Sequence, residues 1–210
     1  KSGAVRVEGD DAMTVILVRH GQSEGNAAGI IQGWLDTPLT EEGRSQADLA
    51  GQTLRSMDVK AVYASPLSRA FDTGQAIASQ HGLDLITDPD LREQRWGEAE
   101  GLTWQEARER WGLDPGKDWG VMIPAMEATS DLRLRAYKSF ERIANAHPKE
   151  IVVCATHGGV VIQILAAIFG LSDSEWPRAK VLNAGVTTIE GSDGNYKVSN
   201  LNTGSVLATT

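Results

Sequence analysis

Short β-branched runs alternate along this chain with longer segments whose apolar positions return every three or four residues. The first kind predicts buried strands: TVILV at 14–18, VKAVYA at 59–64, IVVCAT at 151–156, and a shorter LDLIT at 83–87 closed by the turn DPD. VTTIE and YKVSNL, joined by GSDGN, predict a final pair of strands. The second kind predicts helices. Thr40 can cap one that runs to about Ser56, with Ala47, Ala50 and Leu54 on a single face. Ser65 and Pro66 read as an N-cap and a first helical residue, opening a helix to about His81. Further helices are expected over 103–111, over Asp131–Ala146 (Leu132, Ala136, Phe140 and Ile143 share a face) and over 158–169. Residues 112–130, rich in Gly, Pro, Trp and Met, read as irregular. Strands alternating with helices predict an α/β fold, a three-layer α/β/α sandwich with a mostly parallel central sheet.

Functional sites of such sheets gather at the carboxyl ends of the strands. Three strand ends here carry chemistry: Arg19-His20-Gly21, Ser65-Pro66 with Arg69 soon after, and His157-Gly158-Gly159. Two histidines and two arginines are therefore expected on one rim.

Composition narrows the ligand. The 210 residues suffice for one domain with a real core, read here as 13–210 behind a flexible polar leader, 1–12. A net charge of −8 and a pI near 5.0 argue against a nucleic-acid partner. Any phosphate site must then be a local cluster of cations on an acidic protein. No apolar stretch approaches membrane-spanning length and no signal sequence opens the chain, so no membrane partner and a cytoplasmic location are expected. The single cysteine, Cys154, excludes an internal disulfide and reads as a buried small hydrophobe. Metal-ligand spacings and nucleotide-binding glycine loops are absent, so neither a metal nor a cofactor is expected. A homodimer is the association that base rates favour.

The stretch VILVRHGQSEGN offers two nucleophiles three residues apart, His20 and Ser23. GQSEG matches the serine-hydrolase pattern G-x-S-x-G, which needs a strand, a sharp elbow and then a helix. The following NAAGIIQGWLDTPLT, with two glycines and a proline, argues against a helix starting immediately. His20 explains more of its surroundings. A neutral imidazole can attack phosphorus, and arginines stabilise the charge spread over the transferring oxygens. A helix N-terminus beyond His157 would add backbone donors.

Five motifs in chain order, LVRHGQSEGN, IQGWLDTPLTEEGRSQA, YASPLSRAFDT, LREQRWGEAEG and CATHGG, make the chain resemble the histidine phosphatase superfamily, also called phosphoglycerate-mutase-like. The resemblance spans roughly residues 13–205. It implies His20 as phosphorylated nucleophile, with Arg19, Arg69 and His157 completing the phosphate pocket. It implies Glu93 as the acid that protonates the leaving oxygen and later activates water. Asn26, Gln32, Gly33 and Gly158 correspond to positions that contact substrate. MEATSDLRLR departs from the family's GES-x-x-D-x-x-x-R element, with Met126 for glycine and Ala128 for serine. The expected activity is metal-independent hydrolysis of a small phosphorylated metabolite, with inorganic phosphate as product. A phosphoglycerate mutase is the first rival, set second because mutases generally carry extra segments around the pocket and this chain reads as too short for them. A non-catalytic phosphate-binding module is the other rival. His81 and His147, near helix ends, read as capping or charge residues, and the six tryptophans as packing, with Trp104, Trp111 and Trp119 placed to cover the pocket.

Overall fold

A computed structural model describes residues 12–113, 122–172, 180–192 and 194–201. Most of the leader, the middle of 112–130, Trp119, Trp176 and one residue of the GSDGN turn lie outside the described residues. Six strands form one sheet: β1 (Met13–Arg19), β2 (Val59–Ala64), β3 (Leu85–Thr87), β4 (Ile151–Thr156), β5 (Val186–Ser192) and β6 (Asn195–Asn200). Their spatial order is β3-β2-β4-β1-β5-β6. The first four strands in that order are parallel, and β5 pairs antiparallel with both β1 and β6.

The helices are α1 (Glu24–Ala27), α2 (Glu41–Leu54), α3 (Ser68–His81), α4 (Trp104–Trp111), α5 (Thr129–Ala146) and α6 (Gly158–Ile168). Strand alternation decides which layer each side chain joins. Ile16, Val18, Val62 and Val153 pack with Ala50, Leu54 and Ile77 from α2 and α3. Val15, Leu17, Val152 and Cys154 pack on the other face with Leu132, Phe140, Val160 and Ile164 from α5 and α6. The expected sandwich is present, with helices on both faces. Cys154 is 1% exposed and burial pushes its thiol pKa up, which suits a packing residue. Among the described residues no helix is long and apolar enough to cross a membrane.

Three local expectations need correction. A helix does start at once, within GQSEG itself: α1 is a single turn from Glu24, capped by the Ser23 side chain and followed by Gly29 at φ 69°. Helix α3 begins at Ser68 rather than at Pro66: the Ser65 hydroxyl oxygen accepts from Leu67 N–H at 3.3 Å, ahead of the helix, and the same hydroxyl meets His157 Nε2 at 2.8 Å. Strand β3 keeps only Leu85–Thr87 of the predicted LDLIT, while Leu83 turns into the core instead.

Candidate active site

The carboxyl end of β1 delivers Arg19 and His20 into the centre of the sheet. The His20 N–H donates to the Thr156 carbonyl at 2.8 Å, and its own carbonyl accepts from Ala184 N–H at 3.1 Å. Neighbouring strand ends thus hold it from both sides. Its Nδ1 lies 2.7 Å from the Gly21 carbonyl, which can only accept, so Nδ1 carries the proton and Nε2 keeps its lone pair. The ring is 3% exposed. His157, fully buried at the end of β4, crosses it nearly edge-on, with ring centroids 5.2 Å apart.

A cavity of about 190 Å³ opens over His20, lined also by Arg19, Asn26, Ile30, Ile31, Gln32, Gly33, Arg69, Glu93, Trp96 and Trp104. Arg69, in the first turn of α3, is 1% exposed and anchored by its Nη2 on the Gly33 carbonyl (2.7 Å) and its Nη1 on that of Leu35 (3.1 Å). Arg19 is tethered by its Nη1 to the Val181 carbonyl at 2.6 Å. The Nε of each arginine and Nδ1 of His157 are buried with no protein partner. Orphaned donors of this kind call for a ligand or water. They cluster around His20, where an anion would satisfy them. Among the described residues, no group of three His, Cys, Asp or Glu is placed to hold a metal ion.

Both imidazoles are neutral at physiological pH. Burial lowers the His20 pKa well below the ordinary 6.5, and Arg69 and Arg19 add to the effect against a smaller opposing hydrogen bond. His157 is lowered by burial first, then by Arg69, His20 and Arg19. The unfolded chain therefore binds more protons than the native one below pH 6.5, so stability falls as pH drops through that value. We expect each histidine to add a slope of about 1.4 kcal/mol per pH unit below that point. Denaturant midpoints of wild type and His157→Asn at pH 7.5 and 5.5 check this, and equal pH dependence in the two would refute the buried neutral state.

Glu93 reaches the site from a turn rather than a strand, and four bonds fix it. Its carboxylate accepts from Gln94 N–H (2.8 Å) and from Gly159 N–H in the first turn of α6 (3.1 Å). Its carbonyl accepts from Trp34 Nε1 (2.8 Å) and Arg135 Nη2 (2.9 Å). Any side chain at Gly159 would run into the carboxylate, so only glycine permits this approach.

Other expected residues take various places. Asn26 accepts on Oδ1 from Ser23 N–H and Asn183 Nδ2, both at 3.1 Å, so its amide donors are what it can offer the cavity. Gln32 likewise accepts on Oε1 from Ser23 and Thr37 hydroxyls at 2.7 and 2.6 Å. Gly33 turns at φ 52° and gives its carbonyl to Arg69. Gly158 opens α6 against the Arg19 side chain but does not line the cavity. Ser23 is fully buried, its hydroxyl committed to capping α1 and to Gln32, with no histidine among its hydrogen-bond partners. Of the tryptophans, Trp96 and Trp104 line the cavity, and Trp111, which does not, packs in the apolar cluster that Ile31 and Trp96 share with Ile123.

Sequence reasoning missed the supports. Arg135 grips Glu127 with two bonds (2.6 and 2.8 Å) and the carbonyls of Asp90, Arg92 and Glu93, which clamps the acid's turn. The two departures in MEATSDLRLR leave this clamp intact. Met126 packs into the Ile31 cluster, and α5 opens at Ala128 with no side-chain cap. Asn183 ties Asn26 to the His20 carbonyl, the latter at 3.2 Å. Ser65 meets His157 Nε2 at 2.8 Å.

The family model for the histidine phosphatase superfamily (branch 1) matches residues 15–204. The chain belongs to that superfamily. A 2,3-bisphosphoglycerate-dependent phosphoglycerate mutase of Brucella ovis is 35% identical over 187 residues, 84% of this chain and 90% of the mutase. Among solved structures, "mycobacterial hydrolase 1" superposes with a TM-score of 0.83 at 28% identity, covering 91% of this chain and 98% of its own. The mycobacterial glucosyl-3-phosphoglycerate phosphatase gives 0.79 at 28% identity, covering 91% and 99%, and its complex with inorganic phosphate is also known. Membership of the superfamily, with phosphatase and mutase relatives, gives this chain a role of the phosphatase-or-mutase kind. Chain length does not separate the two activities, because a 187-residue match already spans 90% of the Brucella mutase. The expectation that mutases need a longer chain fails on that comparison.

Proposed function

We propose that this chain hydrolyses phosphate monoesters of small metabolites without a metal, through a phosphohistidine on His20. The observation that carries the reading is the bond from His20 Nδ1–H to the Gly21 carbonyl, which leaves Nε2 as a lone-pair nucleophile over a floor of orphaned cationic donors. Arg19 and Arg69 hold the phosphoryl oxygens and supply the charge stabilisation this transfer needs. With the Ser65 hydroxyl donating to Nε2 of His157, the proton on Nδ1 of that ring serves a third oxygen. The amide groups of Asn26 and Gln32 complete the cradle.

His20 Nε2 attacks phosphorus as the bond to the ester oxygen breaks, and the Glu93 carboxyl gives its proton to the departing alkoxide. Glu93, now a carboxylate, takes a proton from water as that water attacks phosphorus. The P–N bond breaks, inorganic phosphate leaves, and neutral His20 returns.

The mutase reading stays second, favoured by the 35% identity to the Brucella enzyme. The fate of the phosphoryl group decides between them. With excess EDTA and a labelled monoester, we expect an acid-labile, base-stable phosphoenzyme and one inorganic phosphate for each ester consumed, with inhibition by vanadate. Activity lost to EDTA and restored by Mg²⁺ or Zn²⁺ would overturn the metal-free route. Label passed to a phosphoglycerate in preference to water would establish the mutase, and binding without turnover would establish a non-catalytic module.

A further inference from the structure

The floor of the cavity recognises a phosphoryl group, and its walls are placed to judge what that group is attached to. A monoester dianion brings two negative charges, which Arg19 and Arg69 match. Above them stand Ile30, Ile31, Trp96 and Trp104, and among the described lining residues there is no third cation. A carboxylate sits behind this wall instead. Glu100 accepts on Oε1 from the backbone N–H of Trp34 and of Trp96, each at 2.9 Å, and its charge is felt at Arg69. Beyond the Asn26 and Gln32 amides, which serve the phosphate, a second anionic group on the substrate would therefore meet apolar side chains backed by negative charge, at a desolvation cost.

Trp104 offers the substrate an indole at the mouth of the cavity. It is 40% exposed, and Trp96 crosses it edge-on at 5.0 Å and 88°. Its position is fixed at the first residue of α4 by a reciprocal cap between Thr103 and Glu106. Backbone pairing ties the same segment to the opposite wall: Ile31 N–H donates to the Leu102 carbonyl and Gly101 N–H to the Ile31 carbonyl, both at 2.8 Å. The wall is preorganised, which makes it a selecting surface rather than a mobile cover.

We propose that Trp104, supported by Trp96, Ile30 and Ile31, selects monoesters whose leaving alcohol is uncharged and presents a ring face. Esters with a carboxylate beside the phosphate, the phosphoglycerates among them, are disfavoured. The inference rests on the phosphomonoesterase reading and sets this chain apart from relatives whose names carry a phosphoglycerate.

The test compares kcat/KM for 2-phenylethyl phosphate, ethyl phosphate and 3-phosphoglycerate, all of which release a primary alkoxide. We expect the phenylethyl ester to exceed ethyl by about tenfold, the scale of an aromatic contact, and to exceed 3-phosphoglycerate by more. Trp104→Ala should bring the phenylethyl-to-ethyl ratio to about one, and Trp104→Lys should raise 3-phosphoglycerate relative to both. A wild type that prefers 3-phosphoglycerate, or a ratio that survives Trp104→Ala, overturns the wall while His20 is still labelled. Absence of His20 labelling by all three esters instead overturns the underlying reading, and the wall with it.

Discussion

His20→Ala is expected to leave a folded protein with no turnover and no covalent phosphate. The imidazole sits at the end of β1 among Arg19, Arg69 and His157 rather than in either apolar cluster, so its removal opens a polar space and spares the packing that holds the sheet. The chemistry has no substitute. His157 Nε2 is taken by Ser65, and the Ser23 hydroxyl is taken by α1 and Gln32. The loss should be on the order of 10⁶-fold, the scale seen when a covalent nucleophile is deleted. Labelling with a ³²P-monoester, followed by acid and base treatment of the denatured protein, reads the result directly. Labelling retained in His20→Ala and lost in Ser23→Ala would return the chemistry to the serine.

Glu93→Gln should divide substrates by their leaving groups. An alkyl alkoxide is a poor leaving group and needs the proton, whereas p-nitrophenolate departs without one. Phosphorylation by alkyl phosphates should therefore slow by about 10²–10⁴-fold, with a far smaller effect on p-nitrophenyl phosphate. Single-turnover phosphorylation isolates this step from the later attack of water, for which the same residue is the proposed base. Gly159→Ala displaces the same carboxylate from α6 and should reproduce the pattern in milder form. Equal losses for both substrates would remove the acid role from Glu93 and direct attention to Glu98 or Glu100.

The parts of the fold legible in the sequence are those governed by local rules. β-branched runs at β1, β2 and β4 name the sheet's centre, and Thr40 caps α2 as its neighbours predict. Ser65-Pro66 has the form of a cap, and its hydroxyl does accept from Leu67 N–H, yet it also meets His157 across the fold, a contact no local rule can see. The same limit hides the supports. Arg133 and Arg135 look alike as helix cations, but one bonds Gln163 and the other clamps the turn of Glu93. Asn183 lies in a loop whose sequence carries no signal, and only the closeness of 183 to 20 gives it a task. Strand-end placement was enough to bring two histidines and two arginines together, whereas Glu93, on a turn, could be chosen among its acidic neighbours only through the family resemblance.

His20 and Glu93, the proposed nucleophile and acid, stand on regions of unequal resistance to local opening. The His20 amide is bonded to the Thr156 carbonyl at the end of the buried β1–β4 ladder, so its hydrogen can exchange only when the middle of the sheet separates. Glu93 sits between two short turns, held to the body by the Arg135 and Trp34 side chains and by one amide of α6. A modest rise in temperature or denaturant is expected to release those bonds first. On the proposed roles, a protein loosened to that point is expected still to accept phosphate from an activated aryl ester while failing on an alkyl one, so substrate range should narrow before the sheet begins to melt.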